Sequence, residues 1–418
     1  MDNQSANHRL QPYWDRAKKV LTQNVWVLKY LPLAAIVGLI VGAIDTIFGR
    51  GLIMISDFRA QFYLFLVPFL PLAGLLITWL YQRFSPLSLK GMTLVFETGQ
   101  KKRDSIPLLL IPLVMFGTWI THLFGGSAGR EGVAVQIGAT LSHEVGRRLH
   151  VKEDKRIMLI MGMAAGFGGL FQTPLTAVFF AMEVIYAGYL EYAALLPALI
   201  ASYVAAFTSH LLGLEKFAVT LTDTLALTDA KTIVFLILLG IAFGFAGRLF
   251  SFALAKAKKL MAEKIKNPYI RIAAVSIPLA ACLILLFGGR YCGLGTNLIN
   301  ASFQGNTIYP FDWALKILLT VVTLSIGFQG GEVTPLFSIG ASLGVVLGSL
   351  LGMPPIVCAA LGYAAVFGSA TNTLLAPIMI GMEVFGGQNA VAFIIVSIVA
   401  YLVNGNKSIY GAQRKASL

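Results

Sequence analysis

Apolar runs at about 28–48, 60–80, 107–124, 157–185, 192–212, 232–254, 272–288, 313–327, 333–352, 355–384 and 390–403 occupy most of this 418-residue chain. A membrane-spanning helix needs roughly 20 apolar residues. Several of these runs are shorter, and two are longer but interrupted by Gly, Pro, Thr and Asn. The pattern predicts broken and tilted helices packed on one another rather than uniform spans. Only 12% of the residues are charged, against about 25% in a soluble domain. That supply is too small for a water-facing surface, which excludes a soluble enzyme, a disordered regulator and a nucleic-acid module. The net charge of +13 does not restore the last of these, because the basic residues sit in short blocks between apolar runs. Forty-two Gly and 16 Pro fit the close helix contacts and breaks that membrane interiors tolerate. The chain reads as an all-α polytopic membrane protein.

Basic residues orient it, since Lys and Arg collect on the cytoplasmic side. The first 29 residues, the gaps at 81–105, 147–156 and 255–271, and the C-terminal tail hold 24 of the 32. The gap at 213–231 holds only Lys216 and Lys231. Both termini are therefore expected in the cytoplasm of a bacterial plasma membrane, with 213–231 outside. The N-terminal residues lack the apolar core and cleavage site of a signal peptide. Cys282, Cys292 and Cys358 form no disulfide framework or zinc pattern. The five histidines are scattered, and neither a metal site nor a cofactor is expected.

An internal repeat decides the architecture. AAGFGGLFQTPLTAVFFAMEV at 164–184 overlays AAVFGSATNTLLAPIMIGMEV at 364–384 without a gap, and QIGATL at 136–141 recurs as SIGASL at 338–343. The offsets are 200 and 202. Two hits in the same order at nearly one offset predict homologous halves at 25–212 and 232–404, with a cytoplasmic segment 1–24, an external linker 213–231 and a cytoplasmic tail 405–418. Half one starts inside and half two outside, so the halves are inverted, a transporter plan with its site at the repeat interface.

Two polar breaks point to that site. GGSAGREG at 125–132 and GGEVTP at 330–335 are glycine-rich turns before apolar helices. Free N–H groups and the helix dipole make such starts favourable for anions. Glu131 is the sharpest single residue, because intramembrane acids tend to be functional. Ionised, it would occupy the anion site; protonated, it would leave it, acting as gate and proton carrier. The alternative is an Arg130–Glu131 ion pair bracing the turn, disfavoured because adjacent helical residues do not face each other.

GREG at 129–132, GGEVTP at 330–335, the helix pair around Gln172–Val184 and the inverted halves resemble the CLC chloride channel and transporter family over residues 30–411. By that resemblance Glu131 matches the gating and proton-transfer glutamate, and the protein is a homodimer with one pathway per subunit. In place of the family's Ser-bearing turn, KGMTLVFE at 90–97 puts Met92, which has no hydrogen-bond donor. Glu332, Val333 and Thr334 replace the second-half filter residues, with Val333 equivalent to Glu131 in the repeat. These departures resemble the fluoride/proton antiporter branch, implying fluoride and protons as substrates. A CLC-type chloride channel or chloride/proton exchanger with an altered filter is the alternative. Taken alone, Met92 also reads as core filler and Glu332 as a structural acid with a basic partner.

Tyr410, in NKSIYG at 406–411, matches by resemblance the tyrosine facing the inner anion position, and otherwise reads as an interfacial tyrosine. Glu183 and Glu383 occupy equivalent places in the two halves, which favours a structural role for both. An intramembrane protease is the remaining class. It fails for want of a close acid pair, since the inverted axis separates Glu183 from Glu383, and of paired histidines.

Overall fold

A computed structural model describes residues 29–149 and 155–416. The segment 1–24, and Lys152 of the basic gap, lie outside the described residues. The first helix, α1 (Tyr30–Leu66), corrects the sequence reading, which split it into two runs. It has 37 residues and is about 55 Å long, so it must tilt across a hydrocarbon layer of about 30 Å. The polar stretch around Arg59 stays helical because the guanidinium finds a partner inside the protein, the His122 carbonyl at 3.1 Å. The real break comes later, at Phe62, whose φ of −119° and ψ of 26° leave the helix.

The first half continues through α2 (Leu70–Phe84), α3 (Met92–Gly99), α4 (Leu110–Leu123), α5 (Glu131–Arg148), α6 (Lys155–Phe171), α7 (Pro174–Glu183) and α8 (Leu195–Leu211). The second comprises α9 (Ala230–Lys264), α10 (Pro268–Leu285), α11 (Thr296–Gln304), α12 (Asp312–Ile326), α13 (Val333–Leu351), α14 (Pro355–Thr371), α15 (Leu375–Phe385) and α16 (Ala390–Asn404). The two long runs each divide where one residue turns left-handed, Gln172 at φ 60° and Asn372 at φ 57°. These breaks are repeat-equivalent, and Pro174, at the first position of α7, suits a helix start because it needs no N–H partner. The fold is two inverted-topology repeats of broken helices.

Glycine sets how closely the helices approach. A Cβ on Gly138 of α5 would run into the Gly162 carbonyl of α6, and one on Gly340 of α13 into the Gly362 carbonyl of α14. The pairs are repeat-equivalent, and their backbones touch directly, as membrane packing without a strong hydrophobic drive requires. Large side chains face outward instead: Leu285, Phe65 and Leu402 are more than two-thirds exposed, a surface suited to lipid.

The chain after α16 is not a loose tail. Tyr186–Ala187 (β1) pairs in parallel with Arg414–Lys415 (β2), a two-residue exception to the all-helical plan. Gln413 donates to the Val184 and Thr371 carbonyls at 2.9 and 3.0 Å, and Gln100 to the Ala412 carbonyl at 2.6 Å. These bonds hold Tyr410 against the helix ends of both halves.

Candidate functional site

The two glycine turns meet. Gly129 and Gly331 form an antiparallel bridge, with N–H to carbonyl distances of 2.5 Å from Gly129 and 2.8 Å from Gly331. Backbones can come this close only without side chains. A Cβ on Gly129 would lie 2.8 Å from Pro335 Cδ and 2.9 Å from the Gly331 oxygen. The bridge places the starts of α5 and α13 side by side, and Pro335 in the first turn of α13 removes no helical hydrogen bond. Two sets of unpaired helix N–H groups therefore converge on one volume.

The Glu131 carboxylate fills that volume. Oε2 accepts from the Thr334 N–H at 3.0 Å, the Thr334 hydroxyl at 2.5 Å and the Arg130 N–H at 3.3 Å. The side chain is 1% exposed, and Val333, first residue of α13, is buried as well. Oε1 has no hydrogen-bond donor; the Arg130 Nε lies 3.5 Å away. The sequence argument against an Arg130–Glu131 pair is thus corrected. Arg130 caps α5 with φ −134° and is not helical, so the rule that helical neighbours point apart does not govern it.

Below the bridge lies a cavity of about 490 Å³ whose wall includes Met92, Glu332 and Tyr410. Met92 opens α3 after Gly91, which is left-handed at φ 50°; the thioether lines the cavity as well as packing on the core. Tyr410 is buried, its ring tilted by 33° against that of Phe96 at 5.1 Å between centroids, and its hydroxyl has no partner among the described residues. Glu332 occupies the residue before α13 without bonding its N–H groups through the side chain, and its carboxylate lies 3.8 Å from Lys258 Nζ. A Cβ on Gly132 would come within 3.5 Å of the same carboxylate. Glu131 and Glu332 therefore flank one backbone bridge. Of the residues expected at the site, Glu131 and Thr334 meet at the bridge, with Val333 preceding Thr334 in the chain, and Met92, Glu332 and Tyr410 line the cavity.

Glu183 and Glu383 stand elsewhere and do something else. Glu183 accepts from the N–H groups of Leu374, Leu375 and Ala376 at 3.0, 3.1 and 2.8 Å. Glu383 accepts from those of Leu175 and Thr176 at 2.9 and 2.7 Å. Each acid closes the start of the helix carrying its counterpart's turn, α15 for one and α7 for the other.

Sequence reasoning missed Lys316. It is fully buried in α12 and donates to the Ser127 hydroxyl at 2.9 Å and to the Tyr291 and Gly293 carbonyls at 3.2 and 2.7 Å. It thereby anchors the GGSAGREG turn. The signal was available: a single Lys inside the apolar run 313–327 is as exceptional as an intramembrane acid.

Known proteins share the sequence and the fold. The profile of the voltage gated chloride channel family matches residues 73–405. A chloride/fluoride channel protein of Pseudomonas syringae pv. tomato is 35% identical over 405 residues, 93% of this chain and 87% of that one. The crystal structure of a CLC-type fluoride/proton antiporter superimposes with a TM-score of 0.92 at 49% identity, covering 93% of this chain and 98% of that chain. A slow cyanobacterial Cl−/H+ antiporter shares the fold at a TM-score of 0.78 and 20% identity, covering 91% of this chain and 96% of that one. With a family match over residues 73–405 and a 35% identical relative covering 93% of it, the chain belongs to the voltage-gated chloride channel (CLC) family.

Proposed function

We propose that this protein is a fluoride/proton antiporter that exports fluoride across a bacterial plasma membrane, with Glu131 as gate and proton carrier. The observation that carries the reading is the Glu131 carboxylate bonded to the amide and hydroxyl of Thr334. An anion bound at the start of α13 would use the same donors. Ionised, the side chain competes with the transported ion; protonated, it loses its attraction for those N–H groups and yields them. Alternation between the two conditions moves protons inward as fluoride moves out.

The surroundings suit a small, strongly accepting anion. The Thr334 N–H and hydroxyl are compact donors, and the unpartnered Tyr410 hydroxyl supplies another in the cavity below. Met92 offers no donor where a hydroxyl would serve chloride. Glu332 stands beside the path with Lys258 Nζ 3.8 Å from its carboxylate, which offsets its repulsion of an anion. The same reading includes a homodimer with one path per subunit and cytoplasmic termini. It divides the chain into repeats at 25–212 and 232–404, joined by an external linker at 213–231. The 49% identity to a fluoride/proton antiporter supports it.

A chloride channel or chloride/proton exchanger is the second reading, favoured by the description of the 35% identical relative as a chloride/fluoride channel. Proteoliposomes loaded separately with fluoride and chloride under a pH gradient separate the two. Fluoride efflux coupled to proton uptake is expected, and chloride efflux at the fluoride rate would overturn the fluoride assignment. Within this reading, Thr334→Val removes the hydroxyl but keeps shape and backbone. A charge-assisted hydrogen bond is worth about 1.5–3 kcal/mol, so fluoride flux should fall at least about tenfold while Thr334→Ser stays near wild type. Equal flux in the Val and wild-type proteins would remove the hydroxyl from the pathway.

A further inference from the structure

Among the polar residues on the cavity wall that the transport reading leaves unused is Gln136. Gln136 lies on α5, just beyond the first turn that Glu131 begins, and is 5% exposed. Its amide has a fixed orientation. Nε2 donates to the Gly132 carbonyl at 3.0 Å, and turning the group over would set Oε1 against that carbonyl oxygen. Oε1 therefore faces away from its own helix. It is buried, it accepts from no group among the described residues, and Gln136 lines the cavity shared by Met92, Glu332 and Tyr410. A Cβ on Gly91 would lie 3.2 Å from Oε1 but 3.8 Å from Nε2, so the oxygen is the end offered to the turn that carries Met92.

A bare anion is held through hydrogens, yet this cavity wall carries acceptors, the Glu332 carboxylate and the Gln136 carbonyl. A carbonyl oxygen held at its wall repels a naked negative ion and, left dry, forfeits a hydrogen bond of its own. It is satisfied by an occupant that arrives with hydrogen attached. Fluoride is the halide that does so: it keeps its hydration water strongly, and its conjugate acid is weak enough to exist as H–F. Chloride holds water loosely, and its conjugate acid is fully dissociated. The Tyr410 hydroxyl, also unpartnered on the same cavity, supplies the complementary donor for the halide itself.

We propose that Gln136 is a specificity-determining residue whose oriented carbonyl oxygen accepts a hydrogen bond from the hydrogen that accompanies fluoride, in a bound water or in H–F. No covalent bond forms or breaks at the amide. The inference rests on the fluoride reading above.

Separate fluoride and chloride effluxes from proteoliposomes of wild type, Gln136→Met and Gln136→Glu test it. Methionine keeps the length and removes the oxygen, so the fluoride-to-chloride flux ratio should fall about tenfold, the equivalent of one hydrogen bond. Glutamate in its acid form can donate to the Gly132 carbonyl and keep an oxygen on the cavity, so its ratio should stay within about threefold of wild type. An unchanged ratio in Gln136→Met overturns the proposal, and so does a proportional loss of both fluxes, which a merely structural role would give. If Gln136→Met fails to fold, Gln136→Glu decides: a tenfold loss of its ratio overturns the proposal, and a retained ratio supports it. Wild-type protein that passes chloride as fast as fluoride defeats the fluoride reading itself. Wild-type selectivity with an indifferent Gln136→Met defeats only this inference.

Discussion

Glu131→Gln abolishes proton movement driven by a fluoride gradient, by at least about 100-fold, the lower end of what a positioned proton-transfer group contributes. Glutamine is nearly isosteric, and its amide oxygen can still accept from the Thr334 N–H and hydroxyl that now bind the carboxylate. The variant therefore keeps the local architecture while removing the carboxylate that holds the Thr334 donors, and leaves Glu332 in place. Fluoride movement, if it persists, becomes passive and indifferent to pH. A pH-sensitive dye inside fluoride-loaded liposomes makes the measurement. Proton uptake within twofold of wild type would remove Glu131 from the coupling step, whatever its contacts.

The second large effect concerns stability rather than transport. Gly138→Ala inserts a methyl group where α5 and α6 already touch backbone to backbone. No side-chain rotation relieves that overlap, because the obstructing atom is the Gly162 carbonyl oxygen. The helices must separate, and the start of α5 carrying Glu131 moves with them. Overpacking of a dense interior costs about 1–3 kcal/mol or more. A main-chain obstruction belongs at the upper end, so thermal unfolding in detergent should begin at clearly lower temperature, with a smaller monodisperse fraction. Gly387→Ala is the control, since a Cβ there meets nothing within 4 Å. Equal thermal stability in the two variants would show that the contact is not needed.

The elements that the sequence made legible were those whose signal is local. The glycine turns, the acid at 131 and the equivalent breaks at Gln172 and Asn372 interrupt otherwise apolar stretches, and an interruption can be seen without a partner. The repeat extended this reach, because one half predicted the position of features in the other. What stayed hidden depended on groups far apart in sequence. The helical stretch around Arg59 looked like a gap because its partner, the His122 carbonyl, comes from another helix. Lys258 sits in a basic block that reads as cytoplasmic, yet its ammonium approaches Glu332. Gln136 belongs to a segment useful for detecting the repeat, and nothing in its neighbours tells which way the amide turns. The chain after α16 read as a tail because short polar ends usually are; its glutamine and strand contacts are with residues more than 40 positions away.

The exchanged carboxylates of Glu183 and Glu383 bear on how such a molecule could have arisen. Within a bilayer, unpaired N–H groups cost several kcal/mol each, and neither half supplies its own answer for α7 or α15. An ancestor with a single copy of this unit would have needed a second molecule, inserted upside down, to lend the missing acid.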